Sequence, residues 1–413
     1  MLSSAALVFS CLVLNGLVLA SPVAQSSGSG SSLTVPIRKS VSITSGHNVV
    51  DTGHARAQSF RGRAAGQQTS ASSTAKRQSV GVKNEAITYI AQVSVGTSKQ
   101  KFNLLVDSGS SNTWVGANTT NAYVPSSSSV WTDDIVIVEY GSGYFFGYEY
   151  YDTLTLSNAL VITNQSLGGA SFSQGFTTMD GILGIGPIAL TDGTILGSTA
   201  PVFTVPTVSD NLYTQGKISN EVVGVAFAPT TGASNEPEGA LVFGAQDSSR
   251  FVGQITYVPK ETDYWGINQS ISYKGVEIMA TSTGVIDTGT TLLYLPTDTF
   301  NSYIASTGGV FDEATGLYEI TEAQYNALED LVFNIGGTEL PLTPNAQIWP
   351  RSLNGNIGGA QGKIYLNAVS TEPVNGLNFI NGYVFLERYY TVFDTTNNRV
   401  GFAATSFTNA TSN

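Results

Sequence analysis

From residue 86 onward the chain runs in short stretches rich in Val, Ile, Thr, Tyr and Phe, separated by Gly, Asn, Ser and Pro. The first is Ala86-Ile87-Thr88-Tyr89-Ile90, and the whole pattern predicts an all-β protein. Only Val208 to Gln215 and Thr297 to Ser306 read as helices. Before residue 77 the pattern differs. An uncharged apolar stretch, Ala5 to Ala20, ends in Val18-Leu19-Ala20, as a secretory signal peptide of residues 1–20 would. It is shorter than a bilayer span and is interrupted by Ser10, Asn15 and Gly16, so it does not read as a membrane anchor. Residues 21–77 are rich in Ser, Gly, Ala and Gln with little hydrophobic patterning, and they end in the dibasic pair Lys76-Arg77. That predicts a leader cut after Arg77, leaving 336 of 413 residues.

An internal repeat organises the remainder. Leu104-Leu105-Val106-Asp107-Ser108-Gly109-Ser110-Ser111 matches Gly284-Val285-Ile286-Asp287-Thr288-Gly289-Thr290-Thr291, 180 residues later. Each copy runs from apolar residues into Asp, a hydroxyl residue, Gly and two more hydroxyl residues. Two similar β lobes follow, residues 78–252 and 253–413. A third match, Val49-Val50-Asp51-Thr52-Gly53, lacks the hydroxyl pair and a following strand, and it lies in the leader. It reads as a chance occurrence with no catalytic role.

Charge and rare residues then narrow the chemistry. The chain has a net charge of −12. Residues 1–77 hold seven Lys/Arg and one acid, a net of +6, whereas the rest holds eleven bases and 29 acids, a net of −18. The two pieces attract at neutral pH, and acid weakens that attraction by protonating carboxylates. A nucleic-acid partner is excluded by like charge. The one cysteine, Cys11, falls in the signal segment, and both histidines, His47 and His54, fall in the leader. The trimmed chain therefore has no Ser-His-Asp triad, no Cys-His pair, no disulfide and no zinc site built on His or Cys. No metal or organic cofactor is expected. Chemistry must rest on carboxylates, lysines or hydroxyls.

Two Asp turns suit that constraint. Two carboxylates a few Å apart cannot both ionise, so they share one proton over an acidic range. The ionised member can act as base on a water while the protonated member acts as acid. Gly109 and Gly289 allow a tight turn that brings backbone N–H groups toward the carboxylates. Ser110 and Thr290 can donate to the outer carboxylate oxygens. Between the turns, Ile135 to Leu154 forms two β-type runs about Tyr140-Gly141-Ser142-Gly143, a hairpin by pattern.

Val106-Asp107-Ser108-Gly109-Ser110-Ser111-Asn112-Thr113-Trp114-Val115 and Ile286-Asp287-Thr288-Gly289-Thr290-Thr291 resemble the two active-site signatures of the pepsin-like aspartic peptidases. Asp180-Gly181-Ile182-Leu183-Gly184 and Tyr389-Tyr390-Thr391-Val392-Phe393-Asp394 are similar to further family segments, so the likeness spans nearly all of the trimmed chain. The resemblance implies a bilobal fold with a cleft for an extended polypeptide, and an endopeptidase made as a zymogen and working at acid pH. It implies that Asp107 and Asp287 are catalytic and that Ser108 and Thr288 bond across between the loops. Tyr140 would be the flap tyrosine and Trp114 its hydrogen-bonding partner. Met179 and Ile182 fall near a pocket before the cleaved bond, while Gly141, Ser142, Gly289, Thr290 and Thr291 fall where substrate backbone is held. The leader would cover the cleft, with Lys39 and Lys76 as candidates to pair with the dyad. Two departures stand out: the family's paired cysteines are missing, and Ile380-Asn381-Gly382-Tyr383 replaces an expected apolar residue and aspartate. Both features resemble the polyporopepsin-like branch of basidiomycete fungi. Asn118, Asn164, Asn268 and Asn409 sit in glycosylation triplets, compatible with a secreted or vacuolar monomer. A catalytically silent binding protein on the same fold, or a two-carboxylate glycosidase, would be the alternatives.

Overall fold

Turn chemistry fixes many of the strand ends. Lys274-Gly275 and Gly336-Gly337 have positive φ at both positions, 51° and 72° in the first and 58° and 77° in the second. This is the two-residue hairpin turn whose twist matches its flanking strands. The computed structural model describes residues 33–64, 86–141, 143–176, 178–197, 204–229, 239–372 and 376–411. The proposed signal segment, Lys76, Arg77 and Ser142 lie outside them.

In the first half the strands are β1 Leu33–Ser42, β2 Ala86–Val95, β3 Gln100–Asp107, β4 Thr113–Val115, β5 Val130–Tyr140, β6 Gly143–Ser157, β7 Leu160–Gln174, β8 Gly181–Gly184, β9 Ile195–Leu196, β10 Val222–Ala226 and β11 Gly239–Phe243. Helix α1 spans Gly46–Ala64 and α2 spans Val208–Thr214. The second half holds β12 Val252–Pro259, β13 Gly266–Tyr273, β14 Val276–Ile286, β15 Leu293–Pro296, α3 Thr297–Thr307, β16 Val310–Phe311, β17 Tyr318–Ile320, α4 Glu322–Tyr325, β18 Leu331–Ile335 and β19 Thr338–Leu342. It closes with β20 Ile364–Tyr365, β21 Ala368–Thr371, β22 Ile380–Asn381, α5 Tyr383–Leu386, β23 Tyr389–Asp394 and β24 Arg399–Ala404.

The fold is mostly β, as the alternation predicts, and both helix expectations fall within a residue of α2 and α3. A 14-stranded sheet runs β12-β24-β23-β10-β11-β1-β2-β3-β8-β4-β7-β6-β5-β9, and a seven-stranded sheet runs β19-β18-β13-β14-β22-β15-β21. The two Asp loops leave equivalent crossings in these sheets. In the first, β3 pairs parallel with β8, with Asp107 opposite Gly184. In the second, β14 pairs parallel with β22, with Ile286 opposite Asn381. Both approaches are packed in apolar surroundings: Val106, Val285 and Ile286 have no exposed surface.

The segment expected to be a leader is the main surprise of the fold. Strand β1 lies inside the large sheet, antiparallel to both neighbours, with Ile37 opposite Gly239 on β11 and Ala91 on β2. Its inward positions are Val35, Ile37 and Lys39, and a lysine at the third of them hides the alternation. Helix α1 buries Val49, Thr52, Gly53, Arg56, Ala57 and Phe60. That is an i, i+3, i+4, i+7, i+8, i+11 stripe of one helix face, yet half of it is not apolar. The expectation of a leader with little patterned structure is therefore corrected for residues 33–64.

Candidate active site

Asp107 ends β3 and Asp287 follows β14, and neither has exposed surface. The backbone N–H of Ile185 donates to Asp107 O at 2.8 Å, and Asp287 N–H donates to Asn381 O at 3.1 Å, so each loop is pinned by its crossing strand. The loops are also tied to each other. Ser108 N–H donates to Thr288 Oγ1 at 2.8 Å and Thr288 N–H donates to Ser108 Oγ at 2.9 Å. Each hydroxyl then donates onward across the junction, Thr288 to Val106 O and Ser108 to Ile286 O. The expected Ser108/Thr288 exchange is present as a reciprocal pair.

The carboxylates are solvated by the protein in matching ways. Gly109 N–H donates to Asp107 Oδ1 and Gly289 N–H to Asp287 Oδ1, each at 3.0 Å. Ser110 Oγ donates to Asp107 Oδ2 and Thr290 Oγ1 to Asp287 Oδ2, each at 2.5 Å. Glycine is needed at the turns for proximity: a Cβ on Gly109 would lie 2.7 Å from Asp287 Oδ1, and one on Gly289 would lie 2.8 Å from Asp107 Oδ1. Each loop therefore reaches to the inner oxygen of the opposite carboxylate. Burial pushes the Asp107 carboxyl up, Arg56 pulls it back, and the Asp287 charge adds to the rise.

Arg56 of α1 fills the space between the two acids. Its Nη2 donates to Asp287 Oδ1 at 2.8 Å and also to Asp107 Oδ1, while Nε donates to Asp287 Oδ2. Burial works against the Arg56 charge, but the flanking carboxylates outweigh it and hold the guanidinium protonated. The expectation that Lys39 reaches the dyad is corrected. Lys39 instead donates to Ala228 O at 2.7 Å and pairs with Glu387 at 3.3 Å. A buried site with two carboxylates suits the fork of a guanidinium better than the point charge of a lysine. No sequence signal selects Arg56, because the stripe of α1 that carries it mixes apolar and polar residues.

The β5–β6 hairpin covers α1. Trp114 Nε1 donates to Tyr140 OH at 2.8 Å, as expected of a flap tyrosine and its partner. Trp114 also stacks on Phe145 at 4.4 Å and meets Phe176 edge-on at 5.0 Å. Met179 and Ile182 are buried in this same cluster with Leu105 and Val205. At the tip, a Cβ on Gly141 would lie 2.1 Å from Arg56 N, so helix α1 passes directly beneath. Thr291 is buried, and its carbonyl accepts from Val384 N–H at 3.3 Å.

The departure at residues 380–383 resolves into a packing arrangement. Asn381 Nδ2 donates to Gln269 Oε1 at 2.8 Å and Gln269 Nε2 donates back to Asn381 Oδ1 at 3.3 Å. Tyr383 OH accepts from Tyr89 N–H at 3.2 Å, and its ring lies 5.1 Å from that of Tyr89. Of the glycosylation triplets, Asn118, Asn164 and Asn409 are exposed, whereas Asn268 is half-buried and its Oδ1 accepts from Thr283 Oγ1. Among the described residues no cluster of His, Cys, Asp and Glu could hold a metal, and no helix is long and apolar enough to cross a membrane.

Residues 88–405 match the family model described as eukaryotic aspartyl protease. The chain is 49% identical over 343 residues to polyporopepsin of Irpex lacteus, covering 81% of this chain and 99% of that one. It is 33% identical over 334 residues to pepsin A of Rhinolophus ferrumequinum, covering 76% and 80% respectively. The crystal structure of the aspartic proteinase from Irpex lacteus superposes with a TM-score of 0.75, covering 79% of this chain and 96% of that chain at 49% identity.

Proposed function

The chain belongs to the pepsin-like aspartic proteases and is an aspartic endopeptidase of that bilobal fold, and from this premise we propose that Asp107 and Asp287 are its catalytic pair, held silent by Arg56 of its own leader. One observation carries the reading: a single nitrogen atom, Arg56 Nη2, hydrogen-bonds the inner oxygens of both carboxylates. A small polar group at that point touches both acids, which is what a shared nucleophilic water requires.

With the leader gone, a water in that position loses a proton to the ionised member of the pair as it attacks the peptide carbonyl. The protonated member donates to the carbonyl oxygen, giving a tetrahedral diol. Collapse returns a proton to the departing amine. Ser110 and Thr290 keep the outer oxygens bonded, so the ionised carboxylate is stabilised without histidine or metal. The Ser108/Thr288 exchange is proposed to hold the acids in register between lobes 78–252 and 253–413. Tyr140, Gly141 and Ser142 would close over an extended peptide against Trp114, with Met179 and Ile182 lining the apolar wall and Gly289, Thr290 and Thr291 holding its backbone.

The precursor is proposed to pass through the secretory pathway by residues 1–20, destined for outside the cell or the vacuole, and to be trimmed after Lys76-Arg77. Arg56 keeps its charge at every relevant pH, so acid acts through the carboxylates: protonating them removes the partners that hold α1 in the cleft. The decisive experiment is digestion of a denatured protein at acid pH by the trimmed enzyme. Asp107→Asn and Asp287→Asn are each expected to lower the rate by at least about a thousandfold. Full-speed cleavage by either variant would refute the assignment.

A further inference from the structure

Behind Asp287 lies the segment at residues 380–383 that departs from the family pattern, and its buried amide has no part in the chemistry described so far. Strand β14, which carries the chain into Asp287, runs between β13 and β22 in the seven-stranded sheet. Gln269 of β13 stands opposite Ser282, and Asn381 of β22 stands opposite Ile286. Residues 282, 284 and 286 share one face of β14 by the two-residue period of a strand, and the middle one is Gly284, opposite Ile267. The two amides therefore meet across β14 where it carries no side chain. A Cβ on Gly284 would lie 2.3 Å from the ring of Phe379, so nothing larger fits there. Gln269 is 1% exposed and Asn381 has no exposed surface. Reciprocal bonds of 2.8 and 3.3 Å close their side chains into a dimer of amides. The main chain of Asn381 has a second duty, because its carbonyl accepts the Asp287 N–H at 3.1 Å.

The other lobe shows that such a crossing does not require amides. There Val106 stands opposite Leu183, which is fully buried. Burying two amides in place of a leucine contact gains little stability, because their reciprocal bonds mainly offset lost hydration. What the bonds add is direction, since a fully satisfied buried pair has one arrangement whereas apolar contacts slide. We propose that Gln269 and Asn381 are positioning residues for Asp287: their amide dimer clamps β13 to β22 across β14 and fixes the carbonyl from which the Asp287 loop hangs. The proposal rests on the reading that Asp287 is half of the catalytic pair. A shared water has to touch the inner oxygens of both acids, and a misplacement of about 1 Å in such a geometry costs up to about a hundredfold in rate. The clamp is one-sided, so it sets the place of Asp287 against an Asp107 loop seated on apolar contacts.

The test produces the full chain, trims it, and measures kcat, KM and the pH–rate profile on a quenched fluorescent peptide, with melting followed in parallel. Gln269→Leu and Asn381→Leu each leave one buried amide unpaired, so each is expected to lower Tm as well as kcat. The double variant Gln269→Leu/Asn381→Leu removes both polar groups and copies the crossing of the other lobe, so its Tm is expected to return close to that of the parent. Its kcat is nonetheless expected to stay about tenfold low with KM unchanged, half of the full misplacement loss on a logarithmic scale. Its bell-shaped pH–rate profile is expected to narrow, because slack between the acids weakens the coupling that separates their two titration steps. Gln269→Glu guards against misfolding: its carboxyl, kept neutral by burial, can accept and donate as the amide does, so kcat in acid should recover relative to Gln269→Leu. A well-folded double variant with the kcat and pH profile of the parent would overturn the proposal, as would equal kcat in Gln269→Glu and Gln269→Leu. Asp287→Asn run alongside separates the two readings: if it still cuts at full speed the dyad assignment fails, and if it is silent while the double variant is fully active only the positioning fails.

Discussion

Replacing Arg56 by alanine in the precursor should release activity that the parent precursor withholds. The side chain is 9% exposed and contacts three carboxylate oxygens, so its removal breaks a buried ion pair on both sides. Such a loss costs about 3–5 kcal/mol when the remaining charge stays unpaired. Here the two acids are able to share a proton once the cation is gone, which relieves part of the penalty. The low end, about 3 kcal/mol, is the appropriate figure, and it shifts the closed-to-open ratio about 150-fold. The assay is cleavage of a quenched fluorescent peptide by precursor whose Lys76 and Arg77 are both changed to Ala, so that the leader stays attached. Arg56→Ala should raise the rate at pH 5 to 6 by about two orders of magnitude. Arg56→Lys, which keeps the charge but loses the fork, should fall between. An Arg56→Ala precursor as silent as its parent across the acid range, with normal melting behaviour, would show that the guanidinium does not hold the cleft shut.

Gly53→Ala raises the intrinsic helix propensity of α1 by about 1 kcal/mol, yet the added Cβ meets the Tyr294 hydroxyl. The same precursor assay should show more activity, and unchanged or lower activity would argue against the fit of α1 on Tyr294. Trp114→Phe removes the 2.8 Å bond to Tyr140 while keeping most of the stacking on Phe145. A several-fold rise in KM with fold stability nearly unchanged is expected in peptide kinetics; an unchanged KM would make the pair structural only. Glu221 is pushed up to about 8 by burial and by the carboxyl of Asp210. The folded protein thus holds this proton more tightly than the unfolded chain, whose carboxyl titrates near 4.5. The contribution is complete below about pH 4.5 and is lost as pH rises toward 8. Tm should fall across that window, and Glu221→Gln, which does not titrate, should flatten the fall; parallel Tm curves would count against it.

How much of this was legible in the chain depended on whether a residue's chemistry announced its place. Asp107 and Asp287 did so because the apolar run, the glycine and the hydroxyl pair recur together, and each has a job the structure repeats. Tyr140 and Trp114 were reachable through the hairpin and the family likeness. Arg56 was not, because its helix face mixes Val49, Thr52, Gly53, Arg56 and Phe60, and hydrophobic periodicity alone does not see a stripe whose partners are carboxylates and a tyrosine hydroxyl. The Asp51-Thr52-Gly53 triplet differs from the two strand-fed turns, since Asp51 is exposed on α1. Its glycine nonetheless has a task, as the notch for Tyr294. Lys39 was a fair candidate by charge, but β-strand register fixes it opposite Tyr89, where Glu387 lies within reach.

Strand β1 has a consequence for the life of the trimmed enzyme. It is the seam between β11 and β2, so under the proposed trimming the segment discarded would also be the one that bridges the two halves of the great sheet. A denatured trimmed chain would return to buffer without its own template, and two sheet margins would have to find each other across the gap. A trimmed enzyme of that kind would endure by the slowness of its unfolding rather than by a reversible equilibrium.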